Sequence, residues 1–284
     1  MKKSRFKGIA KEVAVSQFLS YRRYLDTVYQ LCKDNSDYYS YQDFSKDLGI
    51  GTSNIAYSVI HQKRKLTEKN KDSIIIHLGL TGTAKCFFAT LVSYEDAGDK
   101  VARYDALDKL VAVKKKEGLS TQNQMTLDYF SEWQHHMVLQ ILKLPLPSYK
   151  PEYISKLLVC LTSKKVEKSI SFLAEHGFIK KIPNEDRWKI LDPISEENLD
   201  ILNLAKLHHL HTSLDKASEA LLAHAPKSRF FEATTMPISL QNKEKLSEEI
   251  KKFWKIVSSL QENDGEGEEL IQLNIQFYTP VSLK

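Results

Sequence analysis

Tyr41-Gln42-Asp43-Phe44-Ser45-Lys46-Asp47-Leu48-Gly49-Ile50-Gly51-Thr52-Ser53-Asn54-Ile55-Ala56-Tyr57-Ser58-Val59-Ile60 is the stretch on which the reading of this chain turns. Its apolar residues predict two short helices, Tyr41 to Leu48 and Ser53 to Ile60, and Gly49 and Gly51 punctuate the join. If Ile55, Val59 and Ile60 face a core, Thr52, Ser53, Asn54 and Tyr57 remain on the outward face and at the N-terminal end of the second helix. Upstream, Phe18, Tyr21, Leu25, Val28 and Leu31 form a stripe at helical spacing, which predicts a helix over Phe18 to Lys33. Downstream, helices are expected at Glu68 to Leu78, ended by Gly79, and at Thr83 to Ala97. Residues 1–97 therefore read as a five-helix bundle.

The remainder divides by composition and period. Residues 98–119 end in Lys114-Lys115-Lys116-Glu117-Gly118 and read as a helix end plus linker. Residues 120–195 open on Thr121-Gln122-Asn123-Gln124, spaced like a capping box, with one helix expected to Leu144. Helices at Glu152 to Leu158 and Ser163 to His176 follow, then short strands at Phe178 to Ile182 and Arg187 to Ile190. Helix, helix and hairpin is the order of a winged helix, and Gly177 suits the left-handed end of its second helix. Residues 196–284 predict a long helix from Glu196 to Ala223, a strand at Arg229 to Ile238, a helix at Lys243 to Gln261 and a strand at Glu269 to Tyr278. In the last, Ile271, Leu273, Ile275 and Phe277 alternate with Gln272, Asn274 and Gln276. Two strands around a helix imply a right-handed parallel crossover, and a sheet so small needs the long helix, the hairpin or a second chain to complete it. The expected fold class is mainly α with a small α+β part.

Composition narrows the function classes. With 284 residues, 42% apolar and 27% charged, and only 10 Gly and 8 Pro, the chain is long enough for two or three folded domains and is neither collagen-like nor low-complexity. Its longest apolar runs fall short of a membrane span, and the basic segment Met1 to Lys11 leads into no apolar export core, so a cytoplasmic protein is expected. Cys32, Cys86 and Cys160 are odd in number and far apart, which predicts neither a disulfide framework nor a cysteine metal site. His208, His211 and Asp215 share a helix face, but too few ligands accompany them to predict a metal centre. No phosphate loop, dinucleotide fingerprint or nucleophile elbow is present; no catalytic residue, cofactor or metal is expected. The net charge of +5 is unevenly placed: residues 1–80 carry 14 basic and 8 acidic groups, whereas 196–284 carry 10 and 14. A basic front end suits a polyanionic partner.

The opening stretch resembles the helix-turn-helix of phage-repressor-like DNA-binding proteins, with Ser45 as the small contact residue, Gly49 as the turn glycine and Ile55 as the anchor of the second helix. Ser58 stands where that motif has an aliphatic residue, with Val59 adjacent to take over the packing. The resemblance implies that Thr52, Ser53, Asn54 and Tyr57 reach base edges in the major groove. The chemistry suits them: asparagine pairs two-fold with adenine, and hydroxyls bond to bases or phosphates. Lys63, Arg64 and Lys65 follow as phosphate contacts, supplying affinity and register. Over nearly its whole length the chain is also similar to a family of uncharacterised bacterial proteins that join such a motif to a C-terminal domain of unknown function. The likeness rests on Phe44-Ser45-Lys46-Asp47-Leu48-Gly49, Lys63-Arg64-Lys65-Leu66-Thr67, Tyr129-Phe130-Ser131-Glu132-Trp133, Leu173-Ala174-Glu175-His176-Gly177-Phe178-Ile179 and Gln272-Leu273-Asn274-Ile275-Gln276-Phe277. Gln62-Lys63-Arg64 departs from the Gly-Lys-Arg that members usually carry. The family implies a transcriptional regulator, here one bound to double-stranded DNA; a homodimer is expected from the incomplete C-terminal sheet and from the need of such motifs for two half-sites, and a small-molecule or protein effector is conceivable. The competing expectation is a non-catalytic module whose outward helix docks a protein.

Overall fold

The computed structural model describes residues 3–36, 38–158, 160–194, 199–263 and 267–282. Among them are thirteen α-helices and one two-stranded sheet, so the chain is mainly helical with a small β part. It divides into two compact units, Met1–Ser131 with Ile194–His208, and Glu132–Pro193 with His209–Lys284.

The first unit contains α1 (Lys3–Lys11), α2 (Tyr21–Asp34), α3 (Tyr41–Asp47), α4 (Ile55–Ile60), α5 (Glu68–Leu78), α6 (Gly82–Glu95), α7 (Lys100–Lys115) and α8 (Thr121–Ser131). Helix α2 starts where Ser20 accepts the Arg23 N–H and buries Tyr21, Tyr24, Leu25 and Val28. These meet Phe87, Phe88 and Leu91 of α6, with Tyr21 and Tyr24 both edge-on to Phe88. The segment expected to be a helix end and linker is instead the four-turn helix α7, which packs along α6. Its Leu107, Leu110 and Val111 are buried at helical spacing, an apolar stripe that the flanking charges obscure in sequence. Asp99 begins it by accepting the Ala102 N–H at 2.9 Å. At α8 the cap is Ser120, whose Oγ accepts the Asn123 N–H, in place of the expected Thr121. The single helix expected to Leu144 breaks at Glu132, and the break coincides with the boundary between the units.

In the second unit, α9 (Trp133–Ile141), α10 (Pro151–Leu157) and α11 (Ser163–Glu175) precede β1 (Ile179–Lys181) and β2 (Trp188–Ile190). Helix α11 packs on both α9 and α10. The strands pair antiparallel with Ile179 opposite Ile190. Gly177 has φ 75°, the left-handed exit that turns α11 into β1. Phe172 anchors the unit, stacked between His135 and His176 at 4.2 and 4.3 Å. His135 Nδ1 is hydrogen-bonded to the buried Ser169 Oγ at 3.0 Å. Burial, with His209 and Lys143 nearby, pushes His136 down to about 4, so the imidazole is neutral at physiological pH.

Helix α12 (Leu199–Ala223) contributes its first turns to the first unit, where Ile201, Leu204 and Ala205 are buried, and its later turns to the second. At the end of its first-unit portion, His208 Nε2 meets Asp108 Oδ1 at 2.9 Å. The expected start at Glu196 lies outside the described residues. Helix α13 (Leu240–Asn263) follows. The two strands expected around it do not form: Arg229 to Ile238 and Glu269 to Tyr278 belong to no sheet among the described residues. Alternation makes such a segment competent to pair, but one chain brings no partner edge to either, so the predicted crossover is corrected to a helix flanked by irregular, exposed segments.

Candidate nucleic-acid interface

Helix α3 is set by a reciprocal cap. Ser40 Oγ accepts the Asp43 N–H at 3.2 Å, while Asp43 accepts the Ser40 N–H at 3.2 Å and its hydroxyl at 2.6 Å. These bonds, the Ser40 hydroxyl first, hold the Asp43 carboxyl below its ordinary value. The helix drives Phe44 into a group of rings, edge-on to Phe6 and Tyr39 and tilted on Tyr29, and Tyr29 stacks on Tyr41 at 3.8 Å.

Ser45 is the joint between α3 and α4. Fully buried, it donates to the Tyr41 carbonyl at 2.9 Å and accepts the Ala56 N–H at 3.0 Å. One of the free amides of α4 is therefore satisfied by the preceding helix instead of by a local cap. Helix α4 starts two residues later than expected, and Ala56 and Val59 are its buried anchors; Ile55 and Ile60, expected to face the core, are half-buried. Gly49 makes the turn at φ 69°, and a Cβ there would lie 2.2 Å from His77 Cε1 and 2.5 Å from Ser73 Oγ. Ser73 Oγ lies within hydrogen-bond reach of the carbonyls of Leu48 and Gly49, at 3.2 and 2.8 Å.

Thr52, Ser53 and Asn54 are exposed at the N-terminal end of α4. Asn54 occupies the capping position without a side-chain capping bond, which leaves its carboxamide facing solvent. Tyr57 is half-buried: it lies edge-on to Tyr41 at 5.2 Å and stacks on His61 at 4.1 Å, with Lys63 Nζ 4.9 Å from its ring. Lys63 and Arg64 are exposed, and no carboxylate among the described residues pairs with either. Lys65, expected beside them, directs its Nζ to the Asp96 carbonyl oxygen at 2.9 Å.

The groups that hold this surface together escaped the sequence reading. Arg22 on α2 donates to the carbonyls of Val59, at the end of α4, and Arg64, and it pairs with Glu95 and Asp96 at the end of α6. Asp96 Oδ2 also accepts the Leu66 N–H at 3.0 Å and the Tyr21 hydroxyl at 2.9 Å. Burial raises the Glu95 pKa, with the Arg22 cation pulling the other way. The partners lie 30 to 75 residues apart in the chain, so no local pattern marks them.

Gln62 explains a departure noted in the sequence. It has φ 59°, a conformation that costs a residue bearing a Cβ about 1–2 kcal/mol, which is why glycine suits the place. Gln62→Gly is expected to stabilise the chain by about 0.5 kcal/mol after the extra chain entropy of glycine is subtracted. Urea denaturation should show a higher midpoint at an unchanged slope.

Two helical units, the first exposing a polar turn before α4 and two cations in the loop after it, define a class of mainly α protein without a described membrane-spanning helix. A family model described as a domain of unknown function (DUF4423) matches residues 113–279, and the chain belongs to that family. The matched region begins inside α7 and leaves the α3–α4 surface outside it. No curated protein and no solved structure matches the chain.

Proposed function

We propose that the chain is a sequence-specific DNA-binding transcriptional regulator in which α3, the turn at Gly49 and α4 act as a helix-turn-helix. The observation that carries this reading is that Asn54, free of its capping duty, stands exposed with Thr52 and Ser53 at the N-terminal end of α4, while the loop that follows the same helix exposes Lys63 and Arg64 without a carboxylate partner among the described residues. In a major groove, Asn54 would pair two-fold with adenine and the hydroxyls would bond to base edges or phosphate. Lys63 and Arg64 would neutralise phosphates, while Lys65 holds the loop through Asp96. Tyr57, fixed by Tyr41 and His61, would present only its outer edge. The winged-helix-like second unit exposes Lys164, Lys165 and Lys168 on α11 and Lys180, Lys181, Arg187 and Lys189 on its hairpin, a second basic surface suited to phosphates. We assign no catalytic step to the chain.

A mobility-shift titration of the full chain on genomic DNA fragments tests the reading. Binding should weaken steeply with salt. Lys63→Ala with Arg64→Ala should flatten the log–log salt slope by about 2. Asn54→Ala should cost about 1–3 kcal/mol on the preferred site and little elsewhere. Equal affinity of wild type and the triple variant on every fragment would refute it, and the absence of any salt-dependent shift would favour a protein-docking helix.

A further inference from the structure

The C-terminal region turns its apolar side chains outward. Between Phe230 and Val281, sixteen large apolar residues are exposed, among them Phe230 at 85%, Trp254 at 51%, Leu260 at 64% and Ile271 at 78%. At roughly 100 Å² each this is about 1,600 Å² of exposed apolar side chain within one stretch of the chain. The alternation near the end is inverted relative to a monomeric core. Gln272 and Asn274 donate their side-chain amides to the Ser213 carbonyl of α12 at 3.1 and 3.2 Å. Ile271, Leu273, Ile275 and Phe277, on the other face, meet solvent. Polar residues are thus turned toward the chain's own helix and apolar ones away from it.

Helix α13 carries the second sign. Leu246, Ile250, Phe253, Val257 and Leu260 follow one another at spacings of four, three, four and three. That is the seam of a helix in a left-handed supercoil. Glu244, Lys245, Glu248, Lys251, Lys252, Lys255, Ser258 and Ser259 fill the positions that such a supercoil leaves in water. Phe253 and Leu260 are 47% and 64% exposed, and Leu246, Ile250 and Val257 are only partly buried, so none of the five is enclosed as a core residue would be. β-Branched Ile250 and Val257 alternate with Leu246, Phe253 and Leu260, the arrangement that favours two-stranded pairing.

We propose that the occupant of this surface is a second copy of the chain, with α13 paired to α13 along this seam and the extended segments 229–238 and 269–278 covered by their counterparts. Two copies bring four such segments together, above the two-strand minimum that one chain cannot exceed. The area is right as well: about 1,600 Å² from each copy gives about 3,000 Å² in total, within the ~2,000–5,000 Å² of obligate homodimers. The same patch meeting itself around a two-fold axis closes the assembly. Such a dimer would set the separation of two DNA-reading surfaces, but it is measured without DNA, so either reading can fail alone.

The test is sedimentation velocity on the full chain from about 1 to 50 μM, concentrations at which an interface of this class is occupied. Dimer is expected throughout. Ile250→Glu with Phe253→Glu should raise the dissociation constant roughly 100-fold or more, with the far-ultraviolet helix signal of the first unit retained. A cysteine readout separates loss of pairing from loss of folding. In a chain with Cys86→Ser and Cys160→Ser, Val257→Cys on the seam should give a disulfide-linked dimer on mild oxidation, whereas Lys252→Cys on the opposite face should not. A monomer at 50 μM, a dimer indifferent to the glutamates, or equal cross-linking at 257 and 252 would overturn the proposal.

Discussion

Asp96→Ala should destabilise the first unit by about 3 kcal/mol, the lower part of the range for removing one member of a buried ion pair. The carboxylate serves Arg22, the Leu66 amide and the Tyr21 hydroxyl together, and both ionic side chains are only 11% exposed. Alanine leaves a largely buried guanidinium with Glu95 as its remaining counter-ion and strands the Leu66 N–H. Glu95 limits the loss but cannot reach Leu66. Asp96→Asn keeps an acceptor for that amide while removing the charge, so it should cost about half as much. Urea denaturation gives the stability, and the DNA titration gives a second readout. Because the same carboxylate fastens the loop bearing Lys63 and Arg64, the alanine variant should lose DNA affinity at temperatures where it is still folded. Unchanged stability would show that Asp96 is dispensable and would remove the proposed support for the loop.

Gly49→Ala is expected to cost about 3–4 kcal/mol. About 1–2 kcal/mol arises from placing a Cβ at φ 69°. The rest is steric, because the new methyl would overlap His77 and Ser73, which cannot both withdraw while Ser73 is bonded to the turn carbonyls. His77→Ala should recover part of the steric share and none of the backbone share, so the two changes should be non-additive by about 1–2 kcal/mol. Simple additivity in thermal or urea unfolding would contradict the close approach of α5 to the turn.

Much of the first unit was legible because its signals are local. The stripe on α2 and the glycine breaks each involve residues within one or two turns, and helical periodicity and turn chemistry report them directly. Helix α7 was missed because charged residues punctuate its apolar stripe and the lysine run at its end reads as solvated linker. The candidate surface was legible in its outward members Thr52, Ser53, Asn54, Lys63 and Arg64. It was not legible in Arg22 and Asp96, whose roles depend on α2, α4 and α6 meeting. Nor did spacing distinguish Ser45 as a mere small residue from Ser45 as the hydrogen-bonding joint between helices.

What the amino-acid order determined by itself is where most helices of the first unit lie, which faces of them are apolar and where glycine turns the backbone, since these follow from neighbours a few bonds apart. Tertiary structure alone decided which carboxylate steadies the basic loop and whether the alternating segments near the C-terminus find partners within one chain. Those outcomes depend on long-range closure, which periodicity does not encode. A segment that alternates like a strand forms a ladder only where another edge is brought to it. In residues 229–238 and 269–278 that edge is missing from the described part of a single chain.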